Sequence, residues 1–387
     1  MNLTTVFPPA HNVMSRDPVS DELRASMTIA FSLCLHTSII TTGCVTNVIN
    51  AIIFLRLGLS DSISVSFFFL AISDFVILFQ NLLARVFGIL DSYLGVNFGM
   101  LDIRSLGFLL TTFASVPYDI TVCITLYTAV QKCCCVVFPF RFNRVFTRSR
   151  SIFINIFIYL VVVCYHIPAI ASQHLRLVRN PSSNSTKLSV WFSPDRNRNV
   201  AALGLLRNVV ITTAEIVVSF CVIVFAYKLK ASSQFHSIRA KGEFPSQKEE
   251  GTVDPEIEEN GKTRGNETDT KRKNKTGQNG HQTSSGEGRV GSSRKNQTSK
   301  EVRATQAVTM VSTLFVSCTL TSVVIIYVSL LYPAFSPRGE LVNLYYVTVQ
   351  VRLTLIFAWL SLNIVVYCAY NTRFRNELFK IFCPKSQ

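Results

Sequence analysis

The chain has 387 residues, of which 49% are apolar and only 16% are charged. Because an average globular protein is roughly 25% charged, this composition argues against two or three soluble domains. The formal net charge of +15 raises nucleic acid as a partner, and the positions of the basic residues decide that question.

Seven runs of the sequence are apolar over the roughly 20 residues that a helix needs to cross a bilayer. Each carries at most one formal charge and is apolar on all sides, whereas a core helix of a soluble protein is usually shorter and has a polar face. The sequence therefore predicts an all-α integral membrane protein, a bundle of seven transmembrane helices over Met27–Leu55, Ser62–Ala84, Ser105–Gln131, Ser151–Ala171, Asn208–Tyr227, Ala304–Tyr332 and Leu341–Tyr370.

The segments between the spans set the expected orientation. Residues 1–26 are charged and lack an apolar core, so we expect no cleavable secretory signal. Most Lys and Arg residues fall on one side, which the positive-inside rule makes cytoplasmic, although long loops count little and the loop after the fourth span is itself basic. This predicts a multi-pass plasma-membrane protein with residues 1–26 extracellular, helices 1–5 within 27–227 and helices 6–7 within 304–370.

Two segments are expected on the cytoplasmic side. Residues 228–303 are rich in Gly, Ser, Thr, Asn, Lys and Glu and predict a disordered loop, because they cannot bury enough apolar surface. The basic run from Lys271 to Lys275 interleaves no aromatic side chain, so its expected partners are membrane lipids rather than nucleic acid. Residues 371–387 predict a short interfacial eighth helix and a tail.

Three residues are candidates for covalent modification. Asn2 and Asn184 begin Asn-x-Ser/Thr triplets on the predicted outer side, which predicts a glycoprotein. Cys383 follows an amphipathic stretch beside the membrane and is a palmitoylation candidate. No cysteine lies in a predicted outer loop and no Cys/His spacing suggests zinc, so we expect no disulfide framework, metal or cofactor.

Polar residues inside the spans are costly in hydrocarbon and are functional candidates by default. The charged ones are Asp74, Asp119, Glu215 and Arg352, with Arg85 near the outer end of the second span. Asn47 and Asn363 lie about as deep as Asp74. These three side chains either share a buried water network or are each satisfied by a backbone carbonyl.

Short motifs occur in a fixed order along the spans: Gly43 to Asn47, Leu70 to Asp74, Gln131 to Phe142, Asn363 to Tyr367 and Phe374 to Leu378. Together they resemble the motifs of rhodopsin-like (class A) G protein-coupled receptors, over all seven spans and the segment after them. The resemblance implies that an extracellular ligand binds in the helix bundle and that an outward swing of the sixth helix activates a heterotrimeric G protein. It also implies a polar network formed by Asn47, Asp74, Asn363 and Tyr367.

Several residues depart from the pattern of that family. Gln131 and Lys132 replace the acidic residue and arginine of the third-helix motif, so the ionic lock of the inactive state cannot form in its usual way. Thr319 and Thr321 replace the tryptophan and proline of the sixth-helix motif. These relaxed motifs most resemble the mollusc-type chemosensory receptors of invertebrates, with a neuropeptide (FMRFamide-like) receptor as the alternative.

The resemblance divides the candidate residues between two ends of the bundle. Arg85, Asp119, Glu215 and Arg352 are expected to bind the ligand, and a set of acids and arginines suits a zwitterion such as an amino acid or a peptide terminus. The alternative is that these four residues pair with one another and only fix the bundle. Contact with the G protein is expected at Gln131, Lys132, Pro139, Phe140 and Arg141.

Three rival classes fit the sequence less well. A transporter predicts inverted repeats with broken helices in matching halves, and seven spans do not divide that way. A channel predicts a filter or a ring of charges. An enzyme predicts a catalytic set such as Gly-x-Ser-x-Gly or His-Glu-x-x-His, and neither motif occurs, so we expect no catalytic residues.

Overall fold

The computed structural model describes residues 17–92, 100–180, 185–241 and 287–382. Within these ranges the chain is mostly helical, with a π-helical segment over Ala30–His36 and one β-hairpin. The elements are, in order, α1 (Asp21–Ile29), the π-helical segment, α2 (Thr37–Arg56), α3 (Ser62–Ser92), α4 (Ile103–Phe113), α5 (Ser115–Val137), α6 (Pro139–Val145), α7 (Arg148–Ala171), β1 (Gln173–Asn180), β2 (Ser185–Phe192), α8 (Arg196–Lys241), α9 (Glu287–Leu331), α10 (Val342–Tyr370) and α11 (Thr372–Phe382).

Seven stretches of the described helices are long and apolar enough to cross a bilayer, and their number agrees with the sequence prediction. We name them the first to seventh spans. They cover Asp21–Arg56, Ser62–Asp91, Ile103–Val137, Arg148–Ala171, Arg196–Lys228, Gln306–Leu331 and Val342–Tyr370.

Most of the spans are longer than the hydropathy pattern predicts. The second span continues past Ala84 to Asp91, and the fifth begins at Arg196 rather than at Asn208. A hydropathy run stops at the first charged residue, whereas a helix continues wherever its backbone hydrogen bonds can still form. The fifth span therefore includes Arg207, which the predicted boundary leaves out.

The chain divides into two compact units. The first comprises Met1–Lys228 and Glu301–Gln387 and contains the seven spans. The second is Leu229–Lys300, in which the structure describes the end of α8 to Lys241 and the start of α9 from Glu287. Both ends of the segment predicted as a disordered loop are thus helical, because extending an existing helix avoids the cost of nucleation. Residues 242–286 lie outside the described ranges.

The all-α prediction also missed a β-hairpin between the fourth and fifth spans. Its strands β1 and β2 pair antiparallel, from Gln173 opposite Phe192 to Asn180 opposite Ser185. The strands contain β-branched and aromatic residues, including Val178, Val190 and Trp191, which favour strand structure. We use this hairpin to name the two ends of the bundle, the hairpin end and the opposite end.

The third span is broken near its hairpin end. Helix α4 ends at Phe113 and α5 begins at Ser115, and Pro117 lies four residues after Phe113 and two residues after Ser115. Proline has no N–H to donate to the carbonyl of Phe113 four residues earlier, so the helical hydrogen-bond ladder is interrupted there. The break at Ala114 lies about one helical turn before Tyr118 and Asp119.

The first, second and seventh spans pack closely in the middle of the bundle. A Cβ atom at Gly43 would collide with the hydroxyl of Ser361 and the side chain of Leu78, so only glycine fits this crossing without a shift. The Asn47 amide donates to the carbonyl of Leu360 at 2.9 Å and ties the first span to the seventh.

Helix α11 packs against the opposite end of the bundle through one buried aromatic residue. The ring of Phe374 lies 5.4 Å from that of Phe54 and 5.4 Å from that of Tyr367. Phe379 and Phe382 are exposed, and basic residues lie between these aromatic positions. The helix is therefore amphipathic, and its location at a membrane interface stays a prediction.

Candidate functional site

The most buried carboxylate near the hairpin end is that of Asp119, which is 0% exposed. Arg207 Nε donates to both of its oxygens, at 3.0 and 2.8 Å, and joins the third span to the fifth. From the fourth span, the Tyr165 hydroxyl donates to Oδ2 at 2.8 Å, and His166 Nε2 lies 3.4 Å from the same oxygen. Asp119 is thus held by partners from two neighbouring spans.

Glu215 joins the fifth and sixth spans in the same part of the bundle. Its Oε2 accepts a hydrogen bond from the Thr319 hydroxyl at 2.5 Å. Its Oε1 is buried and has no hydrogen-bond partner within the described residues. Thr319 stands where the resembled family has tryptophan, so the smaller side chain provides a hydroxyl for this carboxylate.

Tyr118 is a buried side chain near four charged ones. Its buried side chain is within electrostatic range of Arg352, Arg207, Asp119 and Glu215. The guanidinium carbon of Arg207 lies 5.9 Å from the centre of its ring. The Nε of Arg352 is buried and has no hydrogen-bond acceptor among the described residues. We call Tyr118 and these four residues the charged cluster.

Arg85 belongs to a second group, between the first, second and seventh spans. Its Nη1 donates to the Ser32 carbonyl at 2.9 Å and to the Ser32 hydroxyl at 2.7 Å, within the π-helical segment. Its Nη2 lies 3.1 Å from Nδ1 of the buried His36, whose Nε2 lies 2.8 Å from the Thr354 hydroxyl. The guanidinium also lies 5.6 Å from the ring centre of Phe357.

The predicted polar network is divided between side-chain and backbone partners. Asn363 donates to Asp74 Oδ2 at 2.8 Å, and the hydroxyl of Thr121 lies 2.8 Å from Asp74 Oδ1. Asn47 instead donates to backbone carbonyls, as the alternative reading of the sequence expects. Tyr367 is buried and packs against Phe54, Phe67 and Phe374.

The third-helix motif residues lie buried at the opposite end. Gln131 is 0% exposed and donates to the Ser151 hydroxyl at 3.3 Å, and Lys132 is only 4% exposed. Arg141, in α6, is exposed. Pro139 and Phe140 belong to the same helix, but their side chains are not among those that the structure describes. Contact of Gln131 or Lys132 with a partner protein would therefore require the bundle to open.

Three of the predicted site residues lie outside the described residues, namely Asn2, Asn184 and Cys383. Conversely, sequence reasoning missed four residues of the site: His36, Tyr165, His166 and Arg207. The two histidines were missed because neutral histidine carries no formal charge. Arg207 was missed because the predicted fifth span begins one residue after it. A search for any basic residue within a turn of a span boundary would have found Arg207.

No protein-family model matches the chain, and no curated protein matches it at a significant level. Its class therefore follows from its own structure. Within the described residues, seven helices of membrane-spanning length indicate a multi-pass helical membrane protein.

Proposed function

We propose that this chain is a rhodopsin-like G protein-coupled receptor of the plasma membrane, with the hairpin end and residues 1–26 extracellular. An extracellular small molecule or amino acid binds at the charged cluster and shifts the bundle towards a state that activates a heterotrimeric G protein. The ligand needs only to bind that state more tightly than the resting state. The proposed subtype is a chemosensory receptor.

The observation that carries this proposal is the convergence of charged side chains from three spans on Tyr118. The third span supplies Asp119, the fifth supplies Arg207 and Glu215, and the seventh supplies Arg352. Charged groups of both signs in a bundle are costly unless they are paired or used, which supports a ligand site at this position. The paired Asp74 and Asn363 support a helix packing like that of the resembled family.

The proposal also assigns a side of the membrane to the candidate modification sites and to the opposite end of the bundle. Asn2 and Asn184 are then extracellular glycosylation sites, and Cys383 is a cytoplasmic palmitoylation site. The basic segments of the opposite end face anionic lipid and the G protein.

Nucleotide exchange on a panel of G proteins tests the proposal, using membranes that contain the full chain. The membranes receive pools of amino acids, odorants or short amidated peptides. We expect a ligand-dependent signal that Lys132→Ala abolishes. The control variant Arg198→Ala, which changes an exposed arginine of the hairpin end, should leave this signal intact. The active pool distinguishes the chemosensory receptor from the neuropeptide receptor. Silence across the panel, with the protein at the cell surface, would contradict the proposal.

The ligand site has its own test in the same assay. Glu215→Ala and Arg352→Ala, made separately, should each lower the potency of an active ligand, because each removes a buried charge that a bound ligand would pair with. Surface expression of each variant is measured alongside. Unchanged potency in both variants would place the ligand elsewhere.

A further inference from the structure

A groove of about 270 Å³ lies between the second and third spans, towards the hairpin end. Its lining residues follow one another at intervals of three or four, so they share one face of each helix. Gly88, Arg104 and Phe108 are exposed, and the groove therefore opens to the outside of the bundle, where a spanning helix meets lipid. The lining includes Ala84, Gly88 and Asp91 of the second span and Arg104, Gly107 and Phe108 of the third.

The groove stays open because two of its lining residues are glycines. A Cβ atom at Gly88 would meet nothing within 4 Å. A Cβ atom at Gly107 would lie 3.5 Å from the carbonyl oxygen of Ala84, which is an ordinary van der Waals contact. The packing of the two helices thus requires neither glycine, and larger side chains would fit and fill the space. Glycine is unfavourable within a helix compared with alanine, so a groove kept open at two glycines is a candidate binding feature.

An ion pair closes the groove on the side of the hairpin. Arg104 Nε and Nη2 donate to Asp91 Oδ2 at 3.0 and 2.8 Å. Within the described residues, both hydrogen bonds of the pair run to this one oxygen, so Asp91 Oδ1 and Arg104 Nη1 are available to a ligand. The two charges cancel, and this end of the groove is polar without a net charge.

A polar end of this kind suits a neutral hydroxyl better than a lipid phosphate. A hydroxyl can donate to the Asp91 carboxylate and accept from the Arg104 guanidinium at the same time. A phosphate can only accept, and its negative charge is repelled by Asp91. The complementary head group is therefore a single uncharged hydroxyl.

The apolar part of the groove is short and has a fixed wall. Ala84 and Asp91 are seven residues apart, which is about 10 Å along a helix. The Phe108 ring forms one side and is itself packed against Phe192, with ring centres 5.8 Å apart. A rigid fused-ring body loses less conformational entropy in such a groove than a flexible acyl chain does. Because the volume is below that of most enclosed ligand pockets, only one face of the body is embedded and the other stays in lipid.

We infer that this groove binds a membrane sterol. The sterol hydroxyl bonds with Asp91 and Arg104, and one face of the ring system packs on Gly88 and Gly107 beside Phe108. The sterol lies in the leaflet that borders the hairpin end. The site shares no residue with the charged cluster, and the inference does not depend on the proposed receptor function.

Photolabelling of the purified full chain in phosphatidylcholine nanodiscs tests the inference. The label is a cholesterol analogue with a photoactivatable diazirine, and mass spectrometry of peptides locates it. We expect labelling within residues 84–91 and 104–111. Cholesterol should compete at least about fivefold better than its hydroxyl epimer, which is the scale of one hydrogen bond. Equal competition by the two epimers, or labelling that avoids both segments, would overturn the inference.

Filling the groove should remove the site. Gly88→Leu and Gly107→Leu, made separately, should each abolish most of the labelling of these segments, because the leucine side chain takes the space of the ring system. Gly204→Leu is the matched control, since a Cβ atom at Gly204 also meets nothing within 4 Å and this residue of the fifth span does not line the groove. The melting temperature without sterol identifies a variant that fails to fold. Unchanged labelling in either folded groove variant would contradict the inference.

The head-group contact and the lipid class have separate tests. Asp91→Ala should remove the preference for cholesterol over its epimer, because the carboxylate that accepts from the hydroxyl is gone. Glu377→Ala, which breaks the ion pair with Lys380 in α11, should leave that preference in place. Oleate and phosphatidylserine should compete more weakly than cholesterol in the wild-type protein. Competition by oleate as strong as that by cholesterol would identify an acyl-chain groove and overturn the sterol assignment.

Discussion

At the scale of single residues, the partners of each buried charged side chain show whether its charge is compensated within the protein. Asp119 is fully buried and has Arg207, Tyr165 and His166 around it, so its charge is compensated inside the protein. Glu215 has a hydroxyl partner on one oxygen only. The alternative that the four predicted residues pair with one another does not describe Asp119, because its ion-pair partner is Arg207, which is not one of the four.

Asp119→Asn should destabilise the protein strongly. The substitution leaves Arg207 without its carboxylate, and breaking a buried ion pair by removing one partner typically costs about 3–5 kcal/mol. Unfolding of the purified protein in detergent measures the loss. Arg104→Gln is the matched control, because Arg104 pairs with Asp91 but its side chain is 79% exposed, and exposed pairs contribute little. Equal losses in the two variants would contradict the structural role of Asp119.

Gln131→Glu should lower the basal activity of the proposed receptor. Gln131 and Lys132 are buried together at the opposite end, and a glutamate there supplies the acidic residue that the resembled family uses to hold its resting state. Basal nucleotide exchange should fall by roughly fivefold or more, the range of a modest coupling free energy. Gln131→Asn, which adds no charge, should leave the baseline in place, and an unchanged baseline in Gln131→Glu would count against this role.

At the scale of elements, the hairpin is attached to the third span by hydrogen bonds. The Leu188 N–H donates to the Met100 carbonyl at 2.6 Å, and the Asp102 N–H donates to the Leu188 carbonyl at 3.2 Å. The Asp102 carboxylate accepts from the hydroxyls of Ser105 and Ser189 at 2.5 and 3.1 Å. These hydrogen bonds connect the hairpin to the start of the third span.

The attachment of the hairpin should depend on pH through Asp102. Partial burial alone would raise the pKa of Asp102, but hydrogen bonds from Ser105, Ser189 and the backbone N–H groups of Ser105 and Arg104 outweigh it and lower the pKa below its usual value. The stabilisation is therefore complete above the ordinary pKa of about 4 and is lost as the pH falls through the lowered value.

Hydrogen exchange of the hairpin amides measures this dependence. Asp102→Ala should weaken their protection about tenfold at neutral pH, as expected for the loss of hydrogen bonds to a charged acceptor. Asp102→Asn should lose the decrease in protection at low pH that the wild-type protein shows. The Asp61 carboxylate, which accepts from Ser64 away from the hairpin, provides the control Asp61→Asn. Protection that is the same in all four proteins would exclude Asp102 as an anchor.

At the scale of the whole molecule, the orientation of the bundle decides what each end can do. A ligand reaches the charged cluster from outside only if the hairpin end is extracellular. The acceptor triplet at Asn184 then lies outside, and the triplets at Asn266, Asn274 and Asn296 lie inside. The basic residues favour this orientation through the positive-inside rule.

Glycosylation of the full chain in cultured animal cells tests the orientation. We expect a glycosidase-sensitive mass increment that Asn184→Gln removes or reduces and that Asn274→Gln leaves unchanged, because acceptor sites are modified only on the lumenal side. An increment that disappears in Asn274→Gln would reverse the orientation and move the charged cluster to the cytoplasmic half.

The sequence by itself determined the seven spans, the depth of Asp74 and Asn363, and the presence of charges at Asp119, Glu215 and Arg352. These features follow from the local cost of polar groups in hydrocarbon, which can be summed along the chain. Only the tertiary structure decided that Arg207 neutralises Asp119, that His36 contacts Arg85 and that Asp102 holds the hairpin. Each of these contacts joins residues far apart in sequence, so its partner depends on how the spans pack and on no property of either residue alone.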